Sequence, residues 1–121
     1  LNLNNMRDEA SDRKSGKNTI VVQMGGEKAK KYHYFLIITA MVVFVVFALL
    51  NNFNIDQYLF LVAYYPLVKH LDTVKKNTNP KELDPELKKV ALSTFLLSVL
   101  FSLCMIYFFS DVIVNTFMGG R

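Results

Sequence analysis

Two long apolar runs free of charge constrain this chain more than any other feature. Residues 32–55 and 90–110 contain no Asp, Glu, Lys or Arg. As helices they would extend about 36 Å and about 31 Å, at roughly 1.5 Å per residue. The hydrocarbon core of a bilayer is about 30 Å thick. A soluble protein rarely holds even one such run, so the chain reads as an integral membrane protein. Within the first run, the series Met41, Val42, Val43, Phe44, Val45, Val46, Phe47 would favour a strand in water. An isolated strand in lipid leaves its backbone groups unpaired, so a helix is predicted instead.

The predicted fold is all-α and polytopic, with three transmembrane helices at about residues 32–50, 56–74 and 90–109. Residues 1–31 form a polar segment ahead of the membrane region, 32–121. The middle span is the weakest. Only residues 57–68 lack charge there, about 18 Å of helix, which crosses only if Lys69 snorkels to the interface. Pro66 lacks an amide hydrogen and crowds the preceding turn, which predicts a kink or break near Ala63 and Tyr64. Residues 75–89 read as a polar loop with a turn at Asn79 and Pro80. Asp84, Pro85 and Glu86 read as an N-cap, a proline at the first helical position and a first-turn acid.

Charge sets the expected orientation. Of the 14 Lys and Arg, seven lie in residues 1–31 and six between Lys69 and Lys89. The link 51–57 has none, and the tail has only Arg121. The positive-inside rule puts the N-terminal segment and the 75–89 loop in the cytoplasm and the tail outside, at the inner (plasma) membrane. The net charge of +4 follows from this topology and does not call for nucleic acid. The single cysteine, Cys104, lies in an apolar run and is expected to pack between helices. The chain starts at Leu1 with no signal peptide in view, so a fragment of a longer protein is expected.

The chemistry concentrates in residues 4–19. On a helix, Asp8 and Asp12 are four residues apart and share a face, roughly 5–6 Å between Cβ atoms. Two like charges so placed call for a cation between them. Mg²⁺ favours hard oxygens and commonly takes one or two carboxylates together with substrate phosphates. Arg7, Arg13, Lys14 and Lys17 surround the pair. Arginine suits a bidentate grip on phosphate, and lysine acts as a point charge. The combination points to a diphosphate site at the membrane surface. On spacing alone, an ordinary charged cytoplasmic loop reads as well. Gly25 and Gly26 read as a turn rather than a phosphate cradle.

The pattern Asn4-Asn5-x-Arg7-Asp8-x-x-x-Asp12-Arg13-Lys14-x-Gly16-Lys17-x-Thr19 resembles the second aspartate-rich motif of the UbiA-type intramembrane prenyltransferases. Within that superfamily it is most similar to the 1,4-dihydroxy-2-naphthoate polyprenyltransferases of menaquinone biosynthesis. Residues 21–34 and the stretch from Asn79 to Ala91 resemble the same family, so the likeness covers nearly the whole chain. The resemblance implies a nine-helix bundle of which this chain is the last third. It implies transfer of a polyprenyl group from a prenyl diphosphate to an aromatic acceptor, with Mg²⁺ as cofactor. Asp8 and Asp12 would be the catalytic metal ligands. Arg7, Arg13, Lys14, Lys17, Asn4 and Asn5 would contact the diphosphate. The first aspartate-rich motif is not found here, so the chain is expected to need the missing N-terminal half as a partner and to be inactive alone.

Other polar residues read more simply. His33 and His70 are expected as interfacial polar tips, and Asp111 as a solvated boundary charge. Tyr58, Tyr64 and Tyr65 read as cavity lining, interface anchors or packing. Asn51, Asn52 and Asn54 read as the outer turn. Two alternatives stay open: a sibling enzyme with 4-hydroxybenzoate or haem as acceptor, and a small membrane scaffold subunit without a site.

Overall fold

The computed structural model describes residues 1–117 and 119; the tail residue Arg121 lies outside them. Helix α1 spans Asn2–Lys14, α2 Ile20–Met24 and α3 Gly26–Leu50. A 3₁₀ segment, Ile55–Ala63, leads into α4, Tyr64–Lys76. A short 3₁₀ turn, Pro80–Leu83, runs into α5, Asp84–Phe117. No strand occurs among the described residues.

Helices α3 and α5, at roughly 1.5 Å per residue, are about 38 Å and about 51 Å long, enough to cross a bilayer. Composition alone would not separate them from core helices of a soluble protein. Their burial does: only 11% and 17% of their most apolar windows are inside the fold. Phe35, Val43, Phe95 and Ile106 are all well exposed. Apolar surface of this extent calls for cover by lipid or by other membrane helices. The protein is therefore a membrane protein with two helices of spanning length.

The middle segment departs from a single helix. It breaks at the Ala63–Tyr64 junction, where the 3₁₀ segment ends and α4 begins. Pro66 explains the place. It falls in the first turn of α4, where its missing N–H would have had no helical partner. The broken segment still returns along α3. The Tyr64 hydroxyl donates to the Met41 carbonyl at 2.6 Å, and the Tyr34 hydroxyl to the Leu71 carbonyl at 2.5 Å. Helix α5 then runs back beside it, with Glu86 against His70 and Asp111 against Gln57. Three antiparallel segments result.

Their core is aromatic. Ala48, Phe53, Phe60, Ala63, Leu67, Leu97 and Cys104 are buried together, with Phe44 and Phe101 against them. Phe44 and Phe101 meet edge to face, with centroids 4.6 Å apart; such a pair contributes about 0.5–1.5 kcal/mol beyond simple burial. Small Ala48 and Ala63 let the segments approach, as close packing in lipid requires. Cys104 packs in this interface, as expected from its apolar setting. Tyr58 stacks on Phe60 rather than anchoring an interface, whereas Tyr65 is exposed.

Three local expectations change. The stretch 75–89 is largely helical: α4 continues to Lys76, and the chain turns helical again at Pro80. Asp84 is not an N-cap. Asn79 takes that role, its side chain accepting from the Lys81 amide, and Asp84 is already in helical conformation (φ −57°, ψ −48°). Pro80 follows the cap and starts the turn early. Asp111 is not simply solvated, because it accepts from Gln57 Nε2 at 2.8 Å and from Asn54 Nδ2 at 3.3 Å. That contact ties α5 to the turn at 51–54, where Asn52 has φ +53° and Asn54 forms a capping box with Gln57.

Candidate functional site

Residues 1–31 fold into a cap over one end of the three segments. Leu3 and Met6 of α1 are buried against Val21, Ala29, Val74 and Leu83, so α1 sits where α3 begins and α4 ends. Asn2 Nδ2 donates to the Ala29 carbonyl at 3.2 Å. Thr19 caps α2 by accepting from the Val22 amide. Gly25 separates α2 from α3 with φ +81°, ψ +154°, a conformation essentially reserved for glycine. Gly25 thus makes the break between the two helices, while Gly26, read from sequence as part of the same turn, already belongs to α3.

The charged residues of α1 divide into three groups. Asp12 is buried, and Lys17 Nζ donates to its Oδ1 at 2.9 Å across the turn at Gly16. Asp8, one turn earlier, is half-buried and held by its neighbour: Arg7 Nε and Nη2 donate to its two oxygens at 2.8 and 2.9 Å. Arg13 is directed elsewhere, to Glu9 at 3.0 Å and to the Val22 carbonyl. Asn4 and Asn5 lie half-buried along α1.

The electrostatics follow from these pairs. The hydrogen-bonded Arg7 guanidinium, the largest influence, holds the Asp8 carboxyl below the ordinary range. Bonding to Asp8 and Asp84 raises Arg7 further above its already high value. Lys17 is raised chiefly by its bond to Asp12 and, more weakly, by the charge of Asp8. One ammonium therefore feels both carboxylates, which places Asp8 and Asp12 in a common field.

A groove of about 700 Å³ opens between α1 and the start of α5. Arg7, Asp8 and Lys14 line it from α1, and Lys81 and Asp84 from the opposite side. The structure thus brings Arg7, Asp8 and Lys14 together at one opening, while the buried Asp12 pairs with the exposed Lys17 away from it and Arg13 faces Glu9. From sequence, Lys81 does not read as a site residue, and Asp84 reads only as a helix cap. Asp84 lies 77 residues from Arg7, whose Nη1 donates to its Oδ1.

Asp8 and Asp12 carry hard oxygen donors of the kind Mg²⁺ takes. Among the described residues no group of three or more His, Cys, Asp or Glu side chains is placed to hold a metal. Two carboxylates on successive turns are what Mg²⁺ takes when substrate phosphates complete its shell. Asp8 and Asp12 would hold the ion, and both are satisfied by basic side chains without it.

A second polar cluster lies between α3, α4 and α5. His33 and His70 are buried, not interfacial tips, with their Nε2 atoms 2.8 Å apart. His70 Nδ1 lies 2.7 Å from Glu86 Oε2, and Lys89 Nζ donates to Glu86 Oε1. One arrangement with both imidazoles neutral satisfies both contacts: His70 Nδ1–H donates to Glu86, and its bare Nε2 accepts from His33 Nε2–H. Buried polar groups in lipid need partners, and each histidine is the other's. Their separation of 37 residues hides the pair from any local reading of the sequence. The available signal was ionisable side chains placed inside candidate spans.

No family model matches the chain, and no solved structure matches it. Two curated proteins do. The sequence is 38% identical over 103 residues to the 1,4-dihydroxy-2-naphthoate octaprenyltransferase of Haemophilus influenzae. It is 37% identical over 103 residues to the protein of the same name from Escherichia coli. Each alignment covers 85% of this chain and 33% of the relative, so the chain spans about a third of their length. The likeness read from Asn4, Asn5, Asp8, Asp12, Gly16 and Lys17 is thus borne out: over most of its length this chain is similar to the 1,4-dihydroxy-2-naphthoate octaprenyltransferases.

Proposed function

We propose that this chain supplies the diphosphate-binding side of a polyprenyltransferase that prenylates 1,4-dihydroxy-2-naphthoate in menaquinone biosynthesis. The observation that carries the reading is the α1 cluster: Asp8 and Asp12 with Arg7, Lys14 and Lys17, docked at the mouth of apolar helices. Its similarity to proteins named for octaprenyl transfer supplies the substrate class. The chain corresponds on this reading to the last three spans of a nine-helix bundle, with Ile55–Lys76 as the middle crossing. Its cytoplasmic face carries α1, and residues outside this chain complete the site. A prenyl diphosphate combines a long apolar tail with a multiply charged head. The tail belongs among helices that face lipid, and the head belongs beside the bases of α1.

Mg²⁺, when bound, supplies positive charge to the diphosphate leaving group. The chain's own residues do the rest. Asp8 and Asp12 present hard oxygens from successive turns. Lys14 and Lys17 offer point charges, and Arg7 a planar fork matched to phosphate oxygens. Fixed positive charge aimed at the departing diphosphate lowers the barrier to breaking the allylic C–O bond. The three segments keep water from the cation-like carbon that forms.

The test uses the complete protein that carries this sequence, purified in detergent with Mg²⁺, a polyprenyl diphosphate and 1,4-dihydroxy-2-naphthoate. Asp12→Asn is expected to cut turnover by a factor on the order of 10² or more, since electrostatic groups of this kind contribute on that scale, with membrane insertion intact. The 121-residue chain by itself is expected to give no product above the no-protein blank. Near-normal turnover in Asp12→Asn would sink the assignment.

A further inference from the structure

Arg7 faces two ways. Its Nε and Nη2 edge grips both oxygens of Asp8, and its Nη1 reaches Asp84 Oδ1 at 2.5 Å. Asp84 belongs to the first turn of α5, so this contact links the aspartate-rich helix to the last membrane helix. The Asp84 side chain is 68% exposed. Exposed ion pairs stabilise a fold only slightly, and α1 is already fixed by Leu3 and Met6. Stability alone therefore gives Asp84 little to do. Its location says more, because Arg7, Asp8 and Asp84 line the same groove.

One cation between two carboxylates leaves that triad with a net negative charge. If Asp8 turns its oxygens to a divalent ion, the Nε and Nη2 edge of Arg7 is released. That edge is the part of a guanidinium that matches phosphate bidentately. A released arginine on a flexible stem would swing into solvent unless something else held it.

We infer that Asp84 is a positioning residue: it anchors Arg7 through Nη1 while the Nε and Nη2 edge passes from Asp8 to the diphosphate. The inference rests on the diphosphate reading above. It assigns Arg7 two successive partners rather than one. It gives Asp84 a role through Arg7, without contact to substrate. Lys14 and Lys81 flank the groove and keep its field favourable to the anion.

The experiment measures KM for the polyprenyl diphosphate, KM for the aromatic acceptor, kcat and the melting temperature, in the complete protein carrying this sequence. Asp84→Asn is expected to raise KM for the diphosphate about tenfold, a typical effect of losing one charge-assisted contact. Acceptor KM and melting temperature should not move. Asp84→Glu should recover most of the loss, because it restores the carboxylate. Arg7→Gln should raise the same KM, and adding Asp84→Asn to it should change nothing more, since residues acting through one another are not additive. An unchanged diphosphate KM in Asp84→Asn, or effects of the two variants that multiply, would overturn the inference. A general fall in kcat and melting temperature would also overturn it, by showing a structural role. Asp12→Asn measured alongside separates the two readings. If it abolishes turnover while Asp84→Asn is silent, only the anchoring role fails; if it too is silent, the diphosphate site itself fails.

Discussion

Replacing Glu86 by leucine tests the buried cluster between α3, α4 and α5. Glu86 has two partners of unequal weight. Lys89 is 64% exposed, so its loss costs about 0–1 kcal/mol, as for other surface pairs. His70 has no exposed side-chain surface, and its Nδ1 has no other partner. Leaving that donor unmatched costs about 1–3 kcal/mol, the desolvation penalty of an orphaned group. Hydrogen bonds between membrane helices average lower, about 0.6 kcal/mol, because the separated helices find other partners. The orphan term should dominate here, since the three segments exclude both water and lipid from His70. Glu86→Leu is therefore expected to destabilise by about 1–3 kcal/mol, a 5- to 150-fold change in the equilibrium constant. Glu86→Gln retains an acceptor of the same shape for His70 Nδ1–H, so it should cost less than about 1 kcal/mol. The assay is reversible unfolding in mixed micelles by SDS titration, followed by helical circular dichroism. Equal stability of Glu86→Leu and the parent would refute the reasoning, as would a larger loss from Gln than from Leu.

Two further outcomes are expected. The Asp8 carboxyl, observed by NMR in micelles, should titrate below its ordinary value of 3.8. The stabilisation from Arg7 is then present above pH 3.8 and is lost as pH falls through the lowered value; a midpoint at or above 3.8 would contradict the pairing. Single cysteines at Lys14 and Lys81, in a background lacking Cys104, should react only with reagents that reach the cytoplasm, and one at Gly119 only from outside. Labelling of Lys81 and Gly119 from the same side would mean that α5 does not cross.

What the sequence by itself determined was everything that rests on short-range pattern. Charge-free runs longer than a bilayer is thick announced membrane helices, because no soluble core of 121 residues could cover them. Pro66 marked the break at Ala63 and Tyr64, because its ring acts on the turn immediately before it. Asp8 and Asp12 sit on successive turns of α1, because their spacing is that of a helix. The likeness to the polyprenyltransferases was legible for the same reason, since its motif is contiguous. The tertiary structure alone decided which polar groups meet. Arg7 with Asp84, His33 with His70, and Gln57 with Asp111 are separated by 77, 37 and 54 residues. No local rule pairs them. Each depends on the order in which antiparallel segments lie side by side, and on the cost of leaving a polar group unmatched where water is excluded. Asp84 shows the limit best. Its neighbours spell an N-cap, but Asn79 and Pro80 started the helix one turn earlier and freed its carboxylate to reach across to Arg7.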